Sequence, residues 1–199
     1  MKKNIAKFNF FSREKNQNIK NKKYQAALIA LMLFCLSPLH AQRDPININI
    51  IVDSSASLSS VKQNIESWLS FRLDEIIVTG DKVTIWSASA RADVIYENTV
   101  NAPDDKEAIK ESVRNITPSG YSADFSGALQ QAARQTPGSY TYTLLVSASS
   151  ESLSSLITGP YGSLIRYSRV EEFTSWRALV IGLNIDSRVR TAASAFINN

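Results

Sequence analysis

Polar and apolar positions alternate between two periods along the chain, and the elements follow from that switch. Asn47-Ile48-Asn49-Ile50-Ile51-Val52 is β-rich and stops at Asp53. Leu58, Val61, Ile65, Trp68, Leu69 and Leu73 then recur at helical spacing, which predicts an amphipathic helix over 58–76. Gly80-Asp81 reads as a turn. Residues 82–86 and 92–96 read as two strands, and the short link between them predicts an antiparallel pair at a sheet edge. Pro103-Asp104-Asp105 opens a helix to about residue 115, with acids at its positive end. Asp124 fits the N-cap of a helix through Arg134. Residues 140–146 read as a strand, followed by a helical stretch interrupted at Gly159-Pro160. Residues 177–183 read as a buried strand and 186–197 as a closing helix.

Strands separated by helices predict an α/β fold. It is doubly wound and Rossmann-like, with a mostly parallel central sheet and helices on both faces. Ligands of such sheets sit beyond the carboxyl ends of the strands, here the loops after Val52 and Val146.

The first 41 residues stand outside this pattern. A basic stretch runs to Lys23, an apolar run covers 26–36, and Ser37-Pro38-Leu39-His40-Ala41 closes the segment. This is the layout of a secretory signal peptide, residues 1–41, with cleavage after Ala41. The apolar run is short for a bilayer span of about 20 residues, although an uncleaved leader would act as an anchor. The expected product is an exported protein, periplasmic or secreted, made of one domain over 42–199.

Charge changes the picture in one respect. The formal net charge of +4 suggests an anionic partner. Yet eight of the 22 Lys+Arg and one of the 18 Asp+Glu lie in 1–41, so residues 42–199 carry 14 and 17, a net of −3. The basic character belongs to the leader, and nucleic acid is not an expected partner. Cys35, His40, Met1 and Met32 are the chain's only Cys, His and Met. Residues 42–199 therefore contain no disulfide, thiol nucleophile, Cys/His zinc site or histidine-based triad. Ser59 and Lys62 have the Ser-x-x-Lys spacing of some hydrolases, but here it begins an ordinary amphipathic helix.

The remaining chemistry gathers in Asp53-Ser54-Ser55-Ala56-Ser57, an Asp-x-Ser-x-Ser ending the first strand. Taken with the hairpin region 81–96, the stretch from Gly120 to Leu129 and the strand beginning at Arg177, the order over 46–199 resembles the von Willebrand factor type A domain family. In that family the motif builds a metal-ion-dependent adhesion site. Mg²⁺ or Mn²⁺ takes about six oxygens, and neutral Ser and Thr hydroxyls keep the ion electrophilic for an acidic side chain of a partner protein. The resemblance places Asp53, Ser55 and Ser57 in the first loop and Ser122 and Asp124 in the second as metal-binding residues. Ala123 stands where the family has Thr, with Ser122 one residue early, and Ala148 stands on the third-loop Asp. A lost carboxylate weakens ion affinity. The residues also admit a plainer reading, in which Ser57 caps the helix from Leu58 and the motif only turns the chain.

The expected function is protein–protein binding without catalysis, through a weakly held Mg²⁺ or Mn²⁺. The alternative is a structural subunit of an envelope, secretion or conjugation assembly that uses the fold as a metal-independent scaffold. A Ser/Lys hydrolase is a third reading. Trp68, Trp86 and Trp176 are expected in the core, and Tyr161 in an exposed loop.

Overall fold

The computed structural model describes residues 43–135, 140–166, 169–182, 189, 191 and 192. Every element belongs to the unit Asp44–Asn199. The leader lies outside the described residues, as does the expected closing helix except for Val189, Thr191 and Ala192, which are helical.

Six strands form one sheet. They are β1 (Asn47–Asp53), β2 (Lys82–Ala88), β3 (Ala92–Thr99), β4 (Thr141–Ser147), β5 (Arg169–Glu172) and β6 (Arg177–Gly182), in the spatial order β3-β2-β1-β4-β6-β5. The centre is parallel, with β1 pairing in parallel with both β2 and β4. Both flanks are antiparallel: β3 against β2, and β6 against β4 and β5. β5 therefore shares the direction of β1, β2 and β4, so four of the six strands run one way.

Strand β1 shows why the sheet is covered twice. Ile48, Ile50 and Val52 enter one core with Leu58, Val61, Ile65, Leu69 and Leu73 of helix α1 (Leu58–Ile76) and Ile109 and Val113 of α2 (Pro103–Arg114). Ile51 enters the other, with Ala128, Leu129 and Ala132 of α3 (Phe125–Gln135), Leu153 and Leu156 of α4 (Ser150–Thr158) and Leu164 of α5 (Gly162–Arg166). Alternate residues of a strand point to opposite faces, so a strand buried on both sides is apolar at nearly every position. Each fully buried aliphatic side chain contributes roughly 1.5–3 kcal/mol, and Leu69 and Leu73 are wholly inaccessible.

The sequence pattern does not predict the antiparallel β5–β6 hairpin. Only Val170 in Arg-Val-Glu-Glu is apolar, so hydrophobic periodicity gave no strand signal there. The turn 173–176 joins Glu172 directly to its partner Arg177, and the Phe173 N–H donates to the Trp176 carbonyl (3.0 Å). So short a link permits only an antiparallel pair, since a parallel one needs a crossover. β6 is thus a strand within the expected segment 177–183, whose last residue lies outside the described residues, but it runs opposite to its neighbour β4. Trp86 and Trp176 are core residues, while Trp68 is half-buried at the rim. Tyr161, expected in an exposed loop, is only 4% exposed, because its ring fills the core under α4 and α5.

Candidate binding face at the carboxyl ends of β1 and β4

The chain winds from β1 towards β2 and β3 on one side and continues with β4 on the other, so the connection reverses between β1 and β4. Side chains at the carboxyl ends of those two strands border the crevice that such a reversal leaves open. Asp53 ends β1 there and is fully buried.

Its carboxylate is a clamp. Oδ1 accepts the Ser55 N–H (2.9 Å), which turns the chain off the strand. Oδ2 accepts the Ala148 N–H (2.9 Å), which ties the end of β1 to the loop after β4. Ala148 occupies the position where the resemblance would require an acid; in its place the backbone donates to the acid of the first loop. The loop around 119–120 is fastened to the same turn: the Ser119 N–H donates to the Ser54 carbonyl (2.7 Å) and the Ala56 N–H to that of Gly120 (2.9 Å). Gly120 has φ +73°, where a side chain would add strain. The Ser87 hydroxyl meets that of Ser54 (2.8 Å), and the Ser54 N–H donates to Ala88, anchoring the turn to β2.

The five predicted ligands divide by what already holds them. Both Asp53 oxygens accept backbone N–H groups. Asp124 caps α3 as the sequence suggested, with Oδ1 accepting the Gly127 N–H (2.8 Å), while its own N–H donates to Ser89 (2.7 Å). Ser57 precedes α1 but does not cap it: its φ and ψ of −61° and −26° are already helical and no side-chain bond reaches the helix. A capping residue normally has extended backbone, and here the turn is closed by Leu58 N–H to Ser55 O and Ser59 N–H to Ala56 O. Ser122 is half-buried beside Ala123, whose buried N–H donates to the Ser152 hydroxyl (2.7 Å). The Ser55 hydroxyl differs from all of these, being buried without a hydrogen-bond partner.

A buried hydroxyl without a partner costs about 1–3 kcal/mol, so this oxygen calls for a partner such as a water or an ion. The chemistry of the set suits a weakly held hard cation: Ser55 and Ser57 offer neutral oxygens, and each Asp53 oxygen keeps a second lone pair. Among the described residues no group of three or more His, Cys, Asp or Glu side chains is placed to hold a metal ion.

Sequence reasoning missed two supporting residues. Ser152 lies within α4 and looks like any helix serine, yet it is fully buried as the acceptor that positions Ala123. Ser149 caps the same helix, accepting from Glu151 and Ser152 (3.2 and 3.3 Å), and the Ser147 hydroxyl donates to its carbonyl (2.8 Å). The cap left a signal, Ser before Ser-Glu-Ser; the role of Ser152 left none. The Ser59–Lys62 pairing is not formed. The Lys62 ammonium donates to the Ile116 carbonyl (2.9 Å) and lies 3.6 Å from Glu66.

No family model and no curated protein matches the chain. Among solved structures, a von Willebrand factor type A protein from Catenulispora acidiphila is similar at 18% identity with a TM-score of 0.43, over 49% of this chain and 25% of that one. Proximal thread matrix protein 1 from the mussel byssus, described with a zinc-occupied MIDAS motif, gives 18% and 0.38 over 44% and 24%. The PilB minor pilin from Streptococcus sanguinis gives 16% and 0.40 over 52% and 30%. Similarity to these solved chains is thus confined to about half of this chain and to less than a third of each of theirs.

Proposed function

We propose that this chain is an exported protein-binding module with a von Willebrand A-like fold, and that its partner docks on the face around Asp53, Ser55, Ser57, Ser122 and Asp124. The observation that carries this reading is the convergence of three loops on the Asp53 clamp at the winding reversal, with the unpartnered Ser55 hydroxyl inside it. Of the four buried side-chain polar atoms without a partner among the described residues, it is the one in this turn, and such groups ordinarily find a partner. In this reading Asp53, Ser55 and Ser57 hold a Mg²⁺ or Mn²⁺, with Ser122 and Asp124 bordering it. The ion supplies an electrophilic point for a partner carboxylate, while the chain's own N–H groups fix Asp53 in place. The missing acid at Ala148 and the missing hydroxyl at Ala123 make that hold weak.

A second reading has its own observation. Both Asp53 oxygens and Asp124 Oδ1 are satisfied by backbone, so the loops keep their shape without an ion. That favours a metal-independent scaffold in an envelope assembly.

Thermal unfolding of the full chain with millimolar Mg²⁺ or Mn²⁺ against chelator, alongside crosslinking and pull-down from the native envelope under both conditions, separates the two. An ion-dependent rise in Tm, lost in Ser55→Ala, supports the first. Capture of the same partner with and without chelator, and no rise in Tm, supports the second. Failure to capture any partner by this face, with Ser122→Arg indistinguishable from wild type in the pull-down, refutes both.

A further inference from the structure

A second concave surface lies between α1 and the β5–β6 turn. It has a volume of about 830 Å³, within the range of ligand pockets. Its two walls differ. Along α1, Ser60, Asn64, Ser67 and Phe71 follow one another at spacings of four, three and four residues, so they form one stripe. The Ser60 and Ser67 hydroxyls donate to the Ser57 and Gln63 carbonyls (3.1 and 2.9 Å), which turns their oxygens outward as acceptors. The facing wall is aromatic. Phe173 stacks on Trp176 with centroids 3.8 Å apart and planes 8° apart. Trp68 meets both edge-on, at 6.0 and 5.4 Å. Trp176 is buried beneath the stack, so Phe173, 36% exposed, presents the outer aromatic face, and Phe71, 61% exposed, stands at one end of the stripe. Thr174 and Ser175 add hydroxyl groups at the turn.

The charge and polarity of this lining select the occupant. Among the described residues its lining holds no cation and one acid, Glu172, whose carboxylate faces the Arg177 Nε at 3.4 Å; the Arg72 guanidinium, 5.5 Å from the Trp68 ring, is paired with Glu75 and Glu171. A phosphorylated or nucleic-acid ligand would meet guanidinium groups that carboxylates already pair. An acyl chain or the apolar face of a helix would pack on the aromatic wall but would cover the Ser60, Asn64 and Ser67 side chains without satisfying them. A pyranose ring matches both walls. Its C–H face, weakly positive, meets the negative face of an aromatic ring, and the hydroxyls at its edge meet Ser, Thr and Asn side chains.

We propose that this groove is a saccharide-binding site that takes a neutral oligosaccharide, with a sugar face on Phe173 and sugar hydroxyls on the Ser60, Asn64, Ser67 stripe. The groove shares no lining residue with the Asp53 face and requires no metal.

Two of the three tryptophans, Trp68 and Trp176, line the groove, whereas Trp86 is buried in the opposite core. Tryptophan emission of the full chain is therefore followed during titration with neutral cello-, chito-, malto- and xylo-oligosaccharides, in chelator. At least one is expected to give a saturable change below about 10 mM, an affinity in the ordinary range for a weak small-ligand site. Phe173→Ala and Asn64→Ala are each expected to weaken it by about ten-fold or more. Asn64 is exposed on α1, so its variant keeps the aromatic packing and serves if Phe173→Ala unfolds. No change with any of the four series overturns the proposal, as does a change that both variants retain.

Discussion

Replacing Asp53 tests whether its carboxylate is first a clamp and only second a ligand. Asp53→Ala leaves the N–H groups of Ser55 and Ala148 without their acceptor inside a fully buried site. Each lost bond to a charged group is worth roughly 1.5–3 kcal/mol, so the variant should lose about 3–6 kcal/mol. That is a large part of the ~5–15 kcal/mol by which a domain of this size is stable. Asp53→Asn keeps the shape but turns one acceptor into a donor facing an N–H, and should lose roughly half as much. Ser55→Ala behaves oppositely. It removes a buried hydroxyl that has no partner, so in chelator it should be neutral or stabilising by up to about 1 kcal/mol. In millimolar Mg²⁺ a bound ion would reverse that sign by mass action. Urea unfolding of the three variants and wild type, followed by tryptophan emission in chelator and again in Mg²⁺, reads all of this. Asp53→Ala within about 0.5 kcal/mol of wild type in chelator, below the usual effect of a buried deletion, would refute the clamp. A destabilised Ser55→Ala in chelator would show that the hydroxyl has a partner within the protein.

Three further outcomes are expected. A Cβ at Gly127 would come 2.1 Å from the Asp124 Oδ2, so Gly127→Ala must displace the capping carboxylate; the lost cap and the gain of Ala over Gly, each about 1 kcal/mol, nearly cancel. Urea unfolding should therefore show little change while partner capture falls if Asp124 borders the docking face, and a large stability loss would contradict the balance. At Gly162 the new Cβ would meet the Ile157 carbonyl oxygen at 2.1 Å, and backbone cannot swing aside as a side chain can, so Gly162→Ala should cost about 1–3 kcal/mol by the same measurement. The Asp105 carboxyl is held below its ordinary pKa by the N–H groups of Asn101 and Ala102 (2.7 and 2.9 Å). A depressed carboxyl stabilises the fold above its unfolded pKa and loses that contribution as pH falls through the folded one. Amide exchange at the start of α2 should accordingly quicken below roughly pH 4 in wild type but not in Asp105→Asn.

Asp53 and Asp81 show how much of the structure the linear order conceals. Both are fully buried, and both bind two backbone N–H groups: Asp81 takes those of Ile46 (3.0 Å) and Val78 (2.9 Å) at the start of β2. Asp53 stood out because it belongs to a spaced motif with serines. Asp81 reads as a turn residue after Gly80, and its bond to Val78 is indeed local; only its bond to Ile46, 35 residues earlier, is set by where a distant segment passes. The same distinction separates the two hairpins. The link between β2 and β3 was legible because both strands are rich in β-formers, whereas Arg-Val-Glu-Glu gained its strand only by pairing with β6.

The sequence by itself determined the alternation of strands and helices, the two-sided burial of β1, the stripe of α1 and the cap at Asp124. Those properties follow from local periodicity and from chemistry within a few residues. Only the tertiary structure decided which N–H groups the Asp53 carboxylate accepts, that Ser57 leaves α1 uncapped, that β6 runs against β4, and that Tyr161 is buried. It also brought Trp68 of α1 against Phe173 and Trp176, more than a hundred residues further along the chain. Each of these depends on contacts between segments far apart in sequence, and no local pattern encodes a partner that the fold alone delivers.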